Sequence, residues 1–108
     1  MLTHIRVADY PDKVRLVLET TDKPDFNASL GSSSLTLTSP AGSYNQSIQG
    51  QKFKSAYLSM VNVEGNAGGY TLSVSSRNVQ NILKKFVISP NKDNANYRTV
   101  IDLSLIHI

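Results

Sequence analysis

Few residues in this sequence are able to do chemistry, and their spacing excludes more than it permits. A metal centre needs several His, Cys, Asp or Glu side chains brought together, but the two histidines, His4 and His107, sit at opposite ends and there is no cysteine. Each histidine reads as a surface or strand-edge residue. Serines are abundant, yet none is framed as a nucleophile elbow. Gly65, Gly68 and Gly69 lie between strands rather than ahead of a phosphate-binding helix. What remains is a set of cations, among them Arg6 and Arg15, whose guanidinium forks can each donate two parallel hydrogen bonds to a carboxylate. No cofactor, metal or catalytic constellation is expected, and the chain reads as one that binds without turnover.

The two arginines are placed by the stretch from His4 to Glu19, which reads as two strands folded back about a turn at Tyr10 to Lys13. Ile5 and Val7, then Val14, Leu16 and Leu18, alternate with polar neighbours, the period of half-buried strands. Pro11 cannot donate to a ladder and Asp12 favours turns, so the reversal has a local cause. With the apolar set facing a core, Arg6, Arg15 and Glu19 face outward. The tight hairpin then brings both arginines onto one exposed face.

The rest of the chain continues in strands. Phe26 to Leu30 and Leu35 to Thr38 follow, each bounded by Pro, Gly or Ser clusters. Residues 43–51 have too few apolar side chains to order themselves by burial and read as a surface connection with room for one edge strand. Apolar residues resume from Phe53 to Val63, Glu64 to Gly69 reads as a flexible turn, and Tyr70, Leu72 and Val74 form another alternating strand. Val79, Ile82, Leu83 and Phe86 have helical spacing, but β-branched and aromatic residues and the following Ser-Pro favour a strand with an irregular start over 79–88. The last strand runs from Tyr97 to about Ile106, with Thr99, Ile101, Leu103 and Leu105 inward and Arg98 and Asp102 outward.

The second hairpin repeats the first at an offset of fifty-six, matching Ile5 to Val61, Val7 to Val63, Val14 to Tyr70, Leu16 to Leu72 and Leu18 to Val74. Phe26 and Leu30 match Ile82 and Phe86, the match fails between Ala28 and Lys84, and Leu35 and Leu37 match Ile101 and Leu103 at sixty-six. That shift makes the loop from Pro90 to Tyr97 ten residues longer than its counterpart. The expected fold is an all-β, two-layer antiparallel sandwich of about eight strands built from two related halves.

With 108 residues the chain is expected to form one domain over residues 2–106. Its net charge of +3 is uneven: residues 1–50 hold four bases and five acids, residues 51–108 seven bases and three acids. The second half therefore favours an anionic partner. Scattered bases and the lack of a stacked aromatic motif argue against nucleic acid. No apolar run approaches the roughly 20 residues that span a bilayer, and the start lacks the regions of a signal peptide. An apolar ending at Leu105 to Ile108 suits a piece cut from a longer, exported protein.

The run "IRVADYPDKVRLVLE" resembles the opening motif of the AMIN domain, the small β-domain ahead of the catalytic part of periplasmic N-acetylmuramoyl-L-alanine amidases and also present in some type IV pilus secretins. "FVISPNKDNANYRTVIDLSL", Phe86 to Leu105, resembles that family's closing motif, loosely at Thr99. The middle, from about Gly31 to Lys54, departs from the family's pattern in its wealth of Ser, Gln and Gly. The resemblance implies a periplasmic location and a peptidoglycan ligand, a polymer of acetylated amino sugars cross-linked by short peptides with free carboxylates. It also implies that the zinc-dependent amidase domain of such a parent lies outside this chain, leaving a targeting module, with an envelope-complex or division protein as the alternative partner. On that basis Arg6, Arg15 and Arg98, with Tyr10 and Lys13 at the turn, are the expected ligand contacts, tyrosine offering sugar an apolar face and a hydroxyl. The competing reading has these arginines pair across strands with Asp102 or Glu19 and merely solubilise the sheet.

Overall fold

A computed structural model of the chain describes residues 1–106, which leaves His107 outside the described residues. Eight strands run in the order β1 (Leu2–Asp9), β2 (Lys13–Thr20), β3 (Asn27–Leu30), β4 (Ser34–Ser39), β5 (Leu58–Asn66), β6 (Gly69–Ser76), β7 (Val79–Ile88) and β8 (Tyr97–Leu105). They form two antiparallel four-stranded sheets, sheet A in the order β1-β2-β8-β7 and sheet B in the order β3-β4-β6-β5. The sheets pack face to face. Leu16, Leu18, Ile101 and Leu103 from sheet A and Leu35, Leu37, Leu72 and Val74 from sheet B are sealed from solvent between them. Each such side chain contributes about 1.5–3 kcal/mol by leaving water. Among the described residues no helix is long and apolar enough to cross a membrane.

The two halves are related as the repeat predicts. Exchanging β1, β2, β3 and β4 for β5, β6, β7 and β8 turns the order of sheet A into that of sheet B. Register agrees: Ile5 pairs with Leu18 and Val7 with Leu16, while Val61 pairs with Val74 and Val63 with Leu72, each pair displaced by fifty-six. The fourth-strand match is two residues off the expected one. Leu16 faces Ile101 and Leu72 faces Leu37, so Leu37 corresponds to Ile101 at sixty-four. Ala28 pairs with Leu37 and Lys85 with Ile101, an offset of fifty-seven. The insertion before β8 is therefore seven residues (64 − 57) rather than ten.

Two local expectations also change. Glu64 to Asn66 belong to β5, and the hairpin closes through Ala67 and Gly68 alone, with Gly68 at φ +84°. Positive φ costs glycine nothing, which is why so short a loop suffices. Residues 43–51 are a strap rather than a strand. Asn45 caps a single 3₁₀ turn at Gln46–Ile48, and Ile48 plugs the core. The Gln49 amide then donates to the Val63 carbonyl and accepts from the Val63 N–H, standing in for a neighbouring strand along β5. Gln51 donates to the Ile5 carbonyl on β1. One polar segment thus closes the exposed edges of both sheets on the same side of the sandwich.

Over 79–88 the chain is strand, as expected, with register shifts between Val79 and Ile82 and between Ile82 and Lys84. It lies at the open edge of sheet A, where Leu83, Phe86 and Val87 are exposed.

Candidate functional site

The outer face of sheet A carries the expected residues in three cross-strand rows. Strand alternation and register put Ala8, Arg15, Asp102 and Lys84 in one row, Arg6, Val17, Val100 and Phe86 in the next, and His4, Glu19, Arg98 and Ile88 in the third. The middle row, apolar but for Arg6 at its β1 end, therefore runs between two more highly charged ones. The matching outer face of sheet B is quite different, with Asn62, Thr71, Ser73, Ser75, Thr36 and Thr38 in equivalent places. Sheet B carries charge in these places only at Glu64, the counterpart of Ala8, whereas sheet A carries charge in all three rows.

Asp102 is fully buried on that face, contrary to the solvated position implied by its outward direction. Arg15 donates to it through Nε at 2.8 Å and Nη2 at 3.1 Å, Lys13 approaches at 3.4 Å and Lys84 at 4.0 Å. The carboxylate is out of reach of water although each of these cations keeps part of its side-chain surface exposed. The Arg15 hydrogen bonds hold Asp102 below the usual carboxylate range, outweighing burial, and the same pair raises the Arg15 pKa.

Glu19 anchors the other row. Arg6 donates to its Oε2, Asn94 to its Oε1 at 3.0 Å, and His4 Nδ1 lies 3.7 Å away. Burial alone pushes the Glu19 carboxyl up, but the Asn94 hydrogen bond and the Arg6 charge together bring it below its ordinary value. Asn94 reaches Glu19 because the 90–97 loop folds on itself. Asn91 Oδ1 accepts from the backbone of Asp93 and Asn94, and Asn94 Oδ1 accepts from Asn96.

Between the two anchors lies a cleft of about 350 Å³ lined by Arg6, Val7, Ala8, Tyr10, Arg15, Val17, Asn94 and Arg98. Tyr10 forms one wall, its ring held by Lys13 at 5.5 Å and Arg15 at 5.8 Å. Arg98 differs from the other two arginines, since no carboxylate among the described residues lies within ion-pair distance of it. Its Nε is buried and has no hydrogen-bond partner.

Four of the five expected residues, Arg6, Tyr10, Arg15 and Arg98, thus come together in one cleft, while Lys13 turns aside to Asp102. Cross-strand pairing also occurs, for Arg6 with Glu19 and Arg15 with Asp102. Arg98 alone among the three arginines escapes it. Sequence reasoning missed Asn94 and Val17. The run Asn91, Asn94, Asn96 was a signal for a structured loop, since asparagine side chains at such spacing cap their own backbone. Compared with protein-family models and with curated proteins, the sequence matches none of them.

Proposed function

We propose that this chain is a non-catalytic peptidoglycan-binding module. On this reading it is an AMIN-type domain that works in the periplasm, holding the wall on the outer face of sheet A and so directing an attached N-acetylmuramoyl-L-alanine amidase to the cell wall or division site. The observation that carries the reading is the gathering of Arg6, Tyr10, Arg15 and Arg98 around one cleft that also has an apolar floor. Rigid strands position these groups, and a tyrosine face beside a guanidinium suits a ligand built of sugar and carboxylate. The module contributes affinity and no turnover of its own.

The test is sedimentation of the purified chain with insoluble peptidoglycan sacculi. Wild type is expected in the pellet, and an Arg6→Ala, Arg98→Ala double variant with an intact circular-dichroism spectrum is expected largely in the supernatant. A folded wild type that stays in the supernatant refutes the reading. A second reading, a protein-interaction module of a pilus secretin or another envelope complex, draws on the exposed apolar edge at Leu83, Phe86 and Val87. It predicts that a folded chain ignores sacculi, and that charge placed at Leu83 or Val87 abolishes capture by the assembled complex.

A further inference from the structure

We infer that the cleft takes a single carboxylate, that of a short peptide end with small aliphatic side chains, with Arg98 as its ionic partner. The inference rests on the peptidoglycan reading for its source of ligand, whereas its chemistry follows from which charges are already committed. Five cations surround the cleft or border it: Arg6, Lys13, Arg15, Lys84 and Arg98. Arg15, Lys13 and Lys84 converge on Asp102, and Arg6 on Glu19. Arg98 is the cation left without a carboxylate among the described residues, and its Nε is a buried donor with no acceptor. A planar fork of this kind is matched by one carboxylate in bidentate contact.

The same tally excludes other anions. A pyrophosphate or polyphosphate needs several uncommitted cations, and drawing Arg6 or Arg15 toward it would take from buried Glu19 its arginine, or leave buried Asp102 to two lysines. A neutral sugar leaves the Arg98 charge unanswered. The remaining side chains on this face are apolar at Ala8 and Val17 and aromatic at Tyr10, with Val7 turned to the core and the Asn94 amide bonded to Glu19. Methyl-sized groups fit such a floor. At about 350 Å³ the cleft is at the small end of ligand sites, in keeping with a peptide terminus rather than a long glycan.

The probe is N-acetyl-D-alanyl-D-alanine, titrated into ¹⁵N-labelled protein and followed by amide chemical shifts. Saturable shifts are expected at Tyr10, Val17, Asn94 and Arg98, at least tenfold weaker for the C-terminal amide of the same dipeptide. Arg98→Met is expected to abolish the shifts, and Arg98→Lys, which keeps the charge but not the fork, to weaken binding severalfold. The lysine variant serves if the methionine one fails to fold. Unchanged affinity for the amide, shifts confined to other surfaces, or no saturation overturn the inference. Sacculus sedimentation of the same protein separates the two claims. Sedimentation without dipeptide binding overturns only the carboxylate assignment, and dipeptide binding without sedimentation overturns only the wall-binding reading.

Discussion

Replacing Asp102 with asparagine tests whether one buried carboxylate organises the charged face of sheet A. The side chain is fully buried, yet its partners keep part of their surface in water, about a quarter for Lys13, under a third for Arg15 and more than half for Lys84. Asparagine retains one acceptor for Arg15 Nε but turns an amide N–H toward Nη2, so one of two short charged hydrogen bonds is lost. Hydrogen bonds to charged groups contribute about 1.5–3 kcal/mol, and the freed cations recover hydration, so the expected loss is about 2 kcal/mol. In urea this shifts the midpoint by about 1–2 M, and thermal unfolding by about 10 °C. Arg15→Met is expected to lower the midpoint further, because it leaves the anion buried with only two flexible lysines. The pH profile supplies a second readout. Because Arg15 holds the Asp102 pKa below its unfolded value, the stabilisation is fully present above about pH 4 and is lost as pH falls through the lower folded value. The gap between wild type and Asp102→Asn therefore closes on acidification from pH 4 toward pH 2. An asparagine variant as stable as wild type at pH 7, or one hurt more than Arg15→Met, refutes the reasoning.

Three further outcomes follow from the packing. A Cβ at Gly69 would sit inside van der Waals contact of the Ser39 carbonyl oxygen and 2.7 Å from the Pro40 carbonyl carbon, so Gly69→Ala is expected to cost about 3 kcal/mol, read by urea midpoint. Gln49→Ala removes both hydrogen bonds to Val63, with an expected loss of about 1–2 kcal/mol and faster exchange of the Val63 amide proton. Leu83, 56% exposed at the β7 edge, tolerates serine within about 0.5 kcal/mol in the same denaturation assay.

The sequence conveyed what burial on one face writes into it. Burial alternates along β4, along β2 from Lys13 to Leu18 and along β6 from Tyr70 to Ser76, because each stretch sends every second side chain into the core. β7 was ambiguous for an identifiable reason: irregular register on either side of Ile82 puts Val79 and Ile82, three residues apart, among the residues packed on the core, which imitates helical spacing. The extra residue before Lys84 also explains why Ala28 found no match there, since its counterpart is Lys85. The strap was illegible because its single fully buried apolar residue, Ile48, is joined by glutamine side chains bonded to β1 and β5, partners that its own sequence does not show. The direction of Arg6, Arg15 and Arg98 was readable from alternation, whereas their division into committed and free cations depends on which acids lie opposite, a matter of register.

The interlocking of the two halves bears on how the chain is made. Each half places one hairpin in each sheet, and the central pairings, β2 with β8 and β4 with β6, join one half to the other. Leu16 must wait for Ile101, its neighbour in the sheet, which emerges from the ribosome 85 residues later. Until β8 emerges β2 has one open edge, and until β6 emerges so has β4, although the inward residues of both are among the most buried of the finished protein. Such non-local pairing is slow, on the order of milliseconds to seconds, and leaves a nascent half-chain prone to aggregation. A chaperone that shields strands β2 and β4 during synthesis would act on this intermediate, and the two halves expressed as separate fragments should fold only when mixed.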